Sequence, residues 1–180
     1  MTHRMIVRSL VLVLGLSACS SKKEDGAGAS SAKQSEGASS EERDFIVNHG
    51  KRDLERLQKS LADGSADKYA CAAAMANVDK VEPHDKDTAT KIRTLCNHDI
   101  PVAILTKGVP VAEEARKAAP DKLSLRECSI DVDMAIEELE TANAHDDASR
   151  ALVARYDKAC PINAEARADR AKRKAAAPAK

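Results

Sequence analysis

Residues 71–96 read CAAAMANVDKVEPHDKDTATKIRTLC, and their pattern decides the fold. Cys71, Ala74, Met75 and Val78 recur at intervals of three and four, the spacing of one helical face. Pro83 cannot continue that helix, and Asp85 or Asp87 is placed to cap a second one carrying Ala89, Ile92, Leu95 and Cys96. Cys71 and Cys96 flank the Pro83-His84 turn symmetrically. In an antiparallel helix pair both arms rise by about 1.5 Å per residue, so residues equidistant from the turn lie side by side. Cys128 and Cys160 flank the Asn143-Ala144-His145 turn in the same way. Their spacing is longer by about one helical turn on each arm, which keeps both cysteines facing inward. Of the three pairings that four cysteines allow, the spacing therefore selects Cys71–Cys96 with Cys128–Cys160. A four-cysteine metal site is disfavoured by the lack of any Cys-x-x-Cys pair.

The same periodicity extends outward. Ser39 and Glu42 have capping-box spacing, and Ile46, Leu54, Leu57 and Leu61 trace a stripe that ends near Gly64. Ser65 is placed to cap the helix that holds Cys71. Residues 97–120, interrupted by Pro101, Gly108, Pro110 and Pro120, predict two short helices. A long helix is expected from Asp121, with Leu125, Cys128, Val132, Ala135, Ile136 and Leu139 on one face. Its partner runs from about Asp147 through Leu152, Val153, Tyr156 and Cys160 to Pro161. No segment alternates as a strand would. Over 180 residues, 43% are apolar but only 2% aromatic, and 32% are charged. That composition disfavours a β-sandwich and favours helices with thin apolar stripes. The expected fold is all-α: a small helical bundle of two disulfide-stapled antiparallel helix hairpins over residues 41–165. The shared order of cysteine, His-Asp turn, cysteine and proline also gives the two hairpins the look of a weak internal repeat. Each bridge closes a loop whose loss of chain entropy is worth roughly 3.5 kcal/mol. That is a large share of the ~5–15 kcal/mol by which a small domain is stable.

The beginning of the chain reads as an address. Arg4 and Arg8 precede an apolar segment, Leu10 to Leu16, and then Leu16-Ser17-Ala18-Cys19. A basic start, a short apolar core and small residues before a cleavage point define a secretory signal, here residues 1–18. The last four residues resemble the lipobox of bacterial lipoproteins. That resemblance covers only the first 19 residues. It implies that Cys19 carries acyl chains of the palmitate type and becomes the new N-terminus, anchoring the chain to a membrane of the cell envelope. Two or three acyl chains hold stably where one does not. By the sorting rule of enterobacterial lipoproteins, Ser20 rather than Asp after the cysteine favours the outer membrane. An exported chain meets an oxidising compartment, which is where disulfides persist. Residues 19–40 form a Ser/Gly/Ala-rich tether without Val, Ile, Leu or aromatic side chains. As a flexible coil it would reach roughly 25 Å. No apolar run attains the roughly 20 residues of a membrane-spanning helix.

Three His-Asp pairs invite a chemical reading: His84-Asp85, His98-Asp99 and His145-Asp146. With His49, some of them can be fitted to a pattern similar to that of the all-α HD phosphohydrolases, which would imply a metal-dependent enzyme. In that family, however, the pair lies inside a helix, whereas Pro83 places His84 in a turn. His84, Asp85, His145 and Asp146 are thus weak metal candidates. The simpler expectation is that each Asp caps the following helix. No His-Glu-x-x-His, Gly-x-Ser-x-Gly, phosphate-binding glycine loop or haem-attachment motif occurs. The acids Asp131, Asp133, Glu137, Glu138 and Glu140 read as the solvated face of an amphipathic helix. No cofactor is expected, and the chain is read as a non-enzyme.

Residues 166–180, ARADRAKRKAAAPAK, are a basic Ala/Lys/Arg-rich tail that Asn163 can cap as a helix. Arg167, Arg170, Lys172, Arg173 and Lys174 are its candidate contacts with an anionic glycan, lipid or protein partner. Its terminal Lys180 also resembles the peptidoglycan-linked lysine of the murein lipoprotein, although Pro178-Ala179 precede it here. The formal charge of zero argues against a nucleic-acid binder, yet it is a sum of unlike parts. Residues 41–165 hold 18 basic and 25 acidic side chains, whereas 166–180 hold six and one. The expected function is a membrane-anchored envelope lipoprotein presenting a rigid helical binding module. The alternatives are a metal-dependent enzyme built on the His-Asp pairs and a structural tether to the cell wall.

Overall fold

Helix α1 (Ser40–Ala62) begins where Ser39 accepts a hydrogen bond from the Glu42 amide at 3.2 Å. It stops at Gly64, whose φ of 67° is a left-handed conformation that a glycine adopts without strain. The computed structural model describes residues 39–176. The leader 1–18, Cys19, the tether through residue 38 and the terminal residues 177–180, with Lys180, lie outside the described residues. After α1 come α2 (Lys68–Val81), α3 (Lys86–Thr94), a five-residue π-turn (Leu95–Asp99), α4 (Ile100–Ala118), α5 (Ile130–Thr141), α6 (Asp147–Ala159) and α7 (Pro161–Ala176). The fold is all-α, with no strand among the described residues. None of these helices is long and apolar enough to cross a membrane.

Two apolar cores share one helical spine. Leu57 of α1 meets Ala74, Val78 and Val81 of α2, Ala89 and Ile92 of α3, and Ile100 at the start of α4. Further along α4, Leu105, Val109 and Ala112 meet Val132, Ile136 and Leu139 of α5 and Tyr156 of α6. Ile104 touches both groups. α1 approaches α2 closely because Gly50 lacks a side chain, since a Cβ there would lie 2.8 Å from a Val81 methyl. Cys71 is bridged to Cys96 with Cα atoms 5.3 Å apart. Cys128 is bridged to Cys160 with Cα atoms 5.7 Å apart. Each bridge borders one core, so the symmetric spacing identified the right pairs.

Four local expectations are corrected. Residues 97–120 do not form two short helices, because α3 passes through the π-turn into α4 without a break. The Ile100 amide reaches back to the Leu95 carbonyl, one residue further than in an α-helix. Pro101 follows this shift of register, where a missing N–H costs least. Pro110 lies on the exposed side of α4, where the carbonyl it leaves without a partner can take water. Gly108 is required by the close approach of Val132 rather than by a break.

Asp121 opens no helix. Pro120 biases Ala119 away from helical geometry, and the Arg116 guanidinium collects the carbonyls of Pro120, Lys122 and Ala159. α5 starts only after Ser129, whose hydroxyl accepts the Asp131 amide at 3.1 Å. Cys128 therefore stands in the preceding loop. Asp67, not Ser65, caps α2, accepting the amides of Tyr69 and Ala70 at 2.9 and 3.2 Å. The Ser65 hydroxyl is bound instead to Ser60, 2.9 Å away. Lastly, α7 begins at Pro161, a residue suited to a first turn. Asn163 caps nothing, and its amide is turned to the Asp133 carboxylate at 2.5 Å.

Candidate functional site

The Asp67 cap fixes the first turn of α2, so that Ala70 and Cys71 point into the core and Tyr69 points out, 76% exposed. Facing it, Ile104, Lys107, Gly108 and Val111 form one stripe of α4 at helical spacing. The first turn of α5 supplies Asp131 and Val132. These three elements enclose an open cleft of about 730 Å³ between the two cores. Its walls carry two large exposed apolar side chains, Tyr69 and Val111, while charged groups stand around the rim.

Those charges also connect the two cores. The Lys68 ammonium pairs with the Asp131 carboxylate, and it lies 3.6 Å from the Met134 sulfur and 5.2 Å from the Tyr69 ring centroid. Asp131 holds the Lys68 amine above its ordinary value. Lys107 donates to the Gly64 carbonyl across the α1–α2 connection. Nearby, burial raises the Glu138 carboxyl against the opposing charge of Lys68.

A second polar cluster forms where the π-turn meets α6. The His98 imidazole places Nδ1 2.7 Å from Asp99 and Nε2 3.4 Å from Asp146. Asp99 first, then Asp146, raises its pKa against the opposite effect of partial burial. Asp146 is the N-cap of α6, accepting the Ser149 amide at 2.7 Å, while the Ser149 hydroxyl accepts the Asp146 amide at 3.0 Å. The amide and side chain of Ser149, with His98, bring its carboxyl down to about 2. Asp85 caps α3 through the amide and hydroxyl of Thr88, which lower its pKa. Asp85 and Asp146 thus hold equivalent places in the two turns, whereas Asp99, also expected to cap a helix, lies inside the continuous run from α3 to α4 and its side chain caps no amide. His84 stands in the Pro83 turn, and His145 lies 3.4 Å from the Ser149 hydroxyl. Among the described residues no group of three or more His, Cys, Asp or Glu side chains is disposed to hold a metal ion.

The basic segment proves to be divided. Arg167 is buried, only 6% exposed, with its guanidinium paired to Asp133 and Asp157 and lying 5.6 Å from the Tyr156 ring centroid. Arg170 pairs with Glu137, 2.7 Å from its Nε. Arg167 is therefore corrected from a partner contact to an internal anchor that binds α7 to α5 and α6, whereas Arg170 stays half-exposed in a surface pair. An arginine with two carboxylates in reach is held to its own chain, because the alternative leaves buried acid unpaired. Lys172, Arg173 and Lys174 are exposed, with Lys172 3.8 Å from Asp169. Tyr156, inside the same cluster, donates to the Ser129 carbonyl at 3.1 Å, and burial raises its phenol to about 12.

The cleft residues Lys68, Tyr69, Lys107 and Val111 were not singled out by the sequence, and Asp131 read there only as part of a solvated helix face. The available signal was Tyr69 itself, one of three aromatic residues in the chain and off the Cys71–Ala74–Val78 face. Comparison of the chain with known protein families, with curated proteins and with solved structures returned no match.

Proposed function

We propose that the chain is an envelope lipoprotein, anchored through acyl chains on Cys19, whose disulfide-bridged helical domain is a non-catalytic binding module. The reading begins from the lipobox and favours the outer membrane on the strength of Ser20. The observation that carries the binding role is the open cleft, where Tyr69 and Val111 stand exposed beside the Lys68–Asp131 ion pair. Exposed apolar groups rimmed by charge are how a protein surface receives a partner. That partner is an envelope protein or an anionic glycan or lipid, and no nucleic acid or cofactor is involved. Arg170, Lys172, Arg173 and Lys174 are the exposed basic groups left to meet an anionic component. In this reading α2 with α3, and α5 with α6, are two antiparallel hairpins stapled by their bridges, forming a rigid bundle carried on the 19–40 tether.

The test has two arms. Metabolic labelling with a clickable fatty acid should mark the parent chain and not Cys19→Ala. Affinity capture from detergent-solubilised envelopes should retain a component that the doubly substituted Tyr69→Ala/Val111→Asp protein loses. An unlabelled parent would refute the anchor. A capture profile unchanged by the cleft substitutions would refute the binding role of the cleft.

A further inference from the structure

We propose that His98 is a pH-operated latch, whose imidazole ties the π-turn of the spine to the first turn of α6 in mildly acidic medium and lets go as the medium becomes alkaline. The geometry of the two contacts is the argument. Nδ1 faces Asp99 at 2.7 Å, and Nε2 faces Asp146 at 3.4 Å. An ionised carboxylate only accepts hydrogen bonds, and a neutral imidazole has a single N–H. Both contacts can therefore be hydrogen bonds only when the ring is protonated.

The latch joins the two cores. The π-turn contributes Leu95 and Cys96 to the first core, while α6 contributes Tyr156 and Ala159 to the second. The other polar side-chain links described between these halves are Lys68 to Asp131 and Lys107 to the Gly64 carbonyl. Lysine and carboxylate keep their charges through the neutral range, whereas histidine changes its charge there. His98 thus turns one of the links into a switch. The groups that face it are Asp99 from its own turn, and Asp146 with the adjoining His145 from the start of α6. On the α5 side, Glu138 lines the surface next to Asn97. The ring is 31% exposed, so protons reach it without unfolding.

The sign follows from the two carboxylates, which raise the folded-state pKa of His98 above the unfolded value. Its stabilisation is complete below the unfolded pKa and disappears as pH rises through the folded one. The Asp146 carboxylate, held near 2, stays charged throughout this interval. The latch stands apart from the cleft, whose lining includes no residue of the π-turn or of α6. Its existence is measured separately.

The experiment uses residues 20–180, which contain both cores and both bridges without signal or acyl chains. His98 should titrate by nuclear magnetic resonance above the ordinary value of about 6.5. Asp146→Asn retains a competent cap but removes the charge, so it should move His98 back towards that value. Amide exchange at Ser149 and Arg150, corrected for intrinsic rates, should be roughly three- to fivefold slower at about pH 5.5 than at about pH 8.5. His98→Gln should abolish that difference. A His98 titrating at or below 6.5, an unmoved value in Asp146→Asn, or the same pH dependence in His98→Gln would each overturn the latch. None of these results bears on whether Tyr69 and Val111 bind a partner, so the two proposals fail independently.

Discussion

Replacing Arg167 with alanine asks whether α7 is part of the folded body or a mere appendage. The guanidinium is buried and serves two acids of unequal exposure. The Asp133 side chain is 11% exposed, and without Arg167 its remaining side-chain partner is the Asn163 amide. Removing one member of a buried ion pair costs about 3–5 kcal/mol, because the other charge stays behind unpaired. Asp157 is more exposed, and its share is about 0.2–1 kcal/mol. Arg167→Ala should therefore lower unfolding stability by about 3–6 kcal/mol. Adding Asp133→Asn, which removes the stranded charge, should restore about half of the loss. Lys172→Ala and Arg173→Ala, at exposed positions, should stay within about 0.5 kcal/mol of the parent. Urea denaturation followed by far-ultraviolet circular dichroism measures all of these. An Arg167→Ala protein within about 1 kcal/mol of the parent, or no more affected than Lys172→Ala, would refute the account of α7 as a docked helix.

Other expected outcomes follow from the bridges and the core. The native chain should weigh four hydrogens less than the reduced one, and substituting both members of either bridge by serine should cost roughly 3.5 kcal/mol in denaturant melts. Tyr156→Phe leaves the Ser129 carbonyl without its donor and should cost about 1 kcal/mol. The raised phenol means that unfolded Tyr156 ionises first, so stability should fall as pH rises from about 10 towards 12, and ultraviolet titration should show one late-ionising tyrosine. Gly108→Ala should destabilise by about 1 kcal/mol, since crowding against Val132 outweighs the gain in helix propensity. In a Val132→Ala background, where the crowding is gone, the same change should stabilise.

What the sequence conveyed depended on how local the determining physics was. Caps and turns are decided within a few residues, and Asp85, Asp146, Gly64 and Pro83 were legible for that reason. The cysteine pairs were legible from their symmetric placement about the two turns, although Cys128 stands in the loop before α5 and not on a helical arm. The continuity of α3 and α4 was not, because it depends on a single shift of hydrogen-bond register that brings Pro101 where its missing donor is harmless. The late start of α5 was hidden too, since Arg116 binds the carbonyls of residues that a helix would otherwise have used. Net charge pointed to a basic arm, but its division between internal and outward groups depended on which acids lay opposite. Asp133, Glu137 and Asp157 come from two different helices. The cleft was least visible of all, because it is defined by the gap between elements far apart in the chain.

The two bridges also determine what a protease could do to this molecule. A cut anywhere between Cys71 and Cys96, or between Cys128 and Cys160, leaves both fragments covalently joined. Neither bridge spans residues 97–127. Most of that stretch is the helical spine, but residues 120–124 form an exposed turn in which Leu123 is 81% accessible. Cleavage there leaves no covalent link between the half nearest the tether and the half carrying α5, α6 and α7. After a cut in that turn, noncovalent contacts alone, above all the packing of α4 against α5 and α6, hold the two halves together.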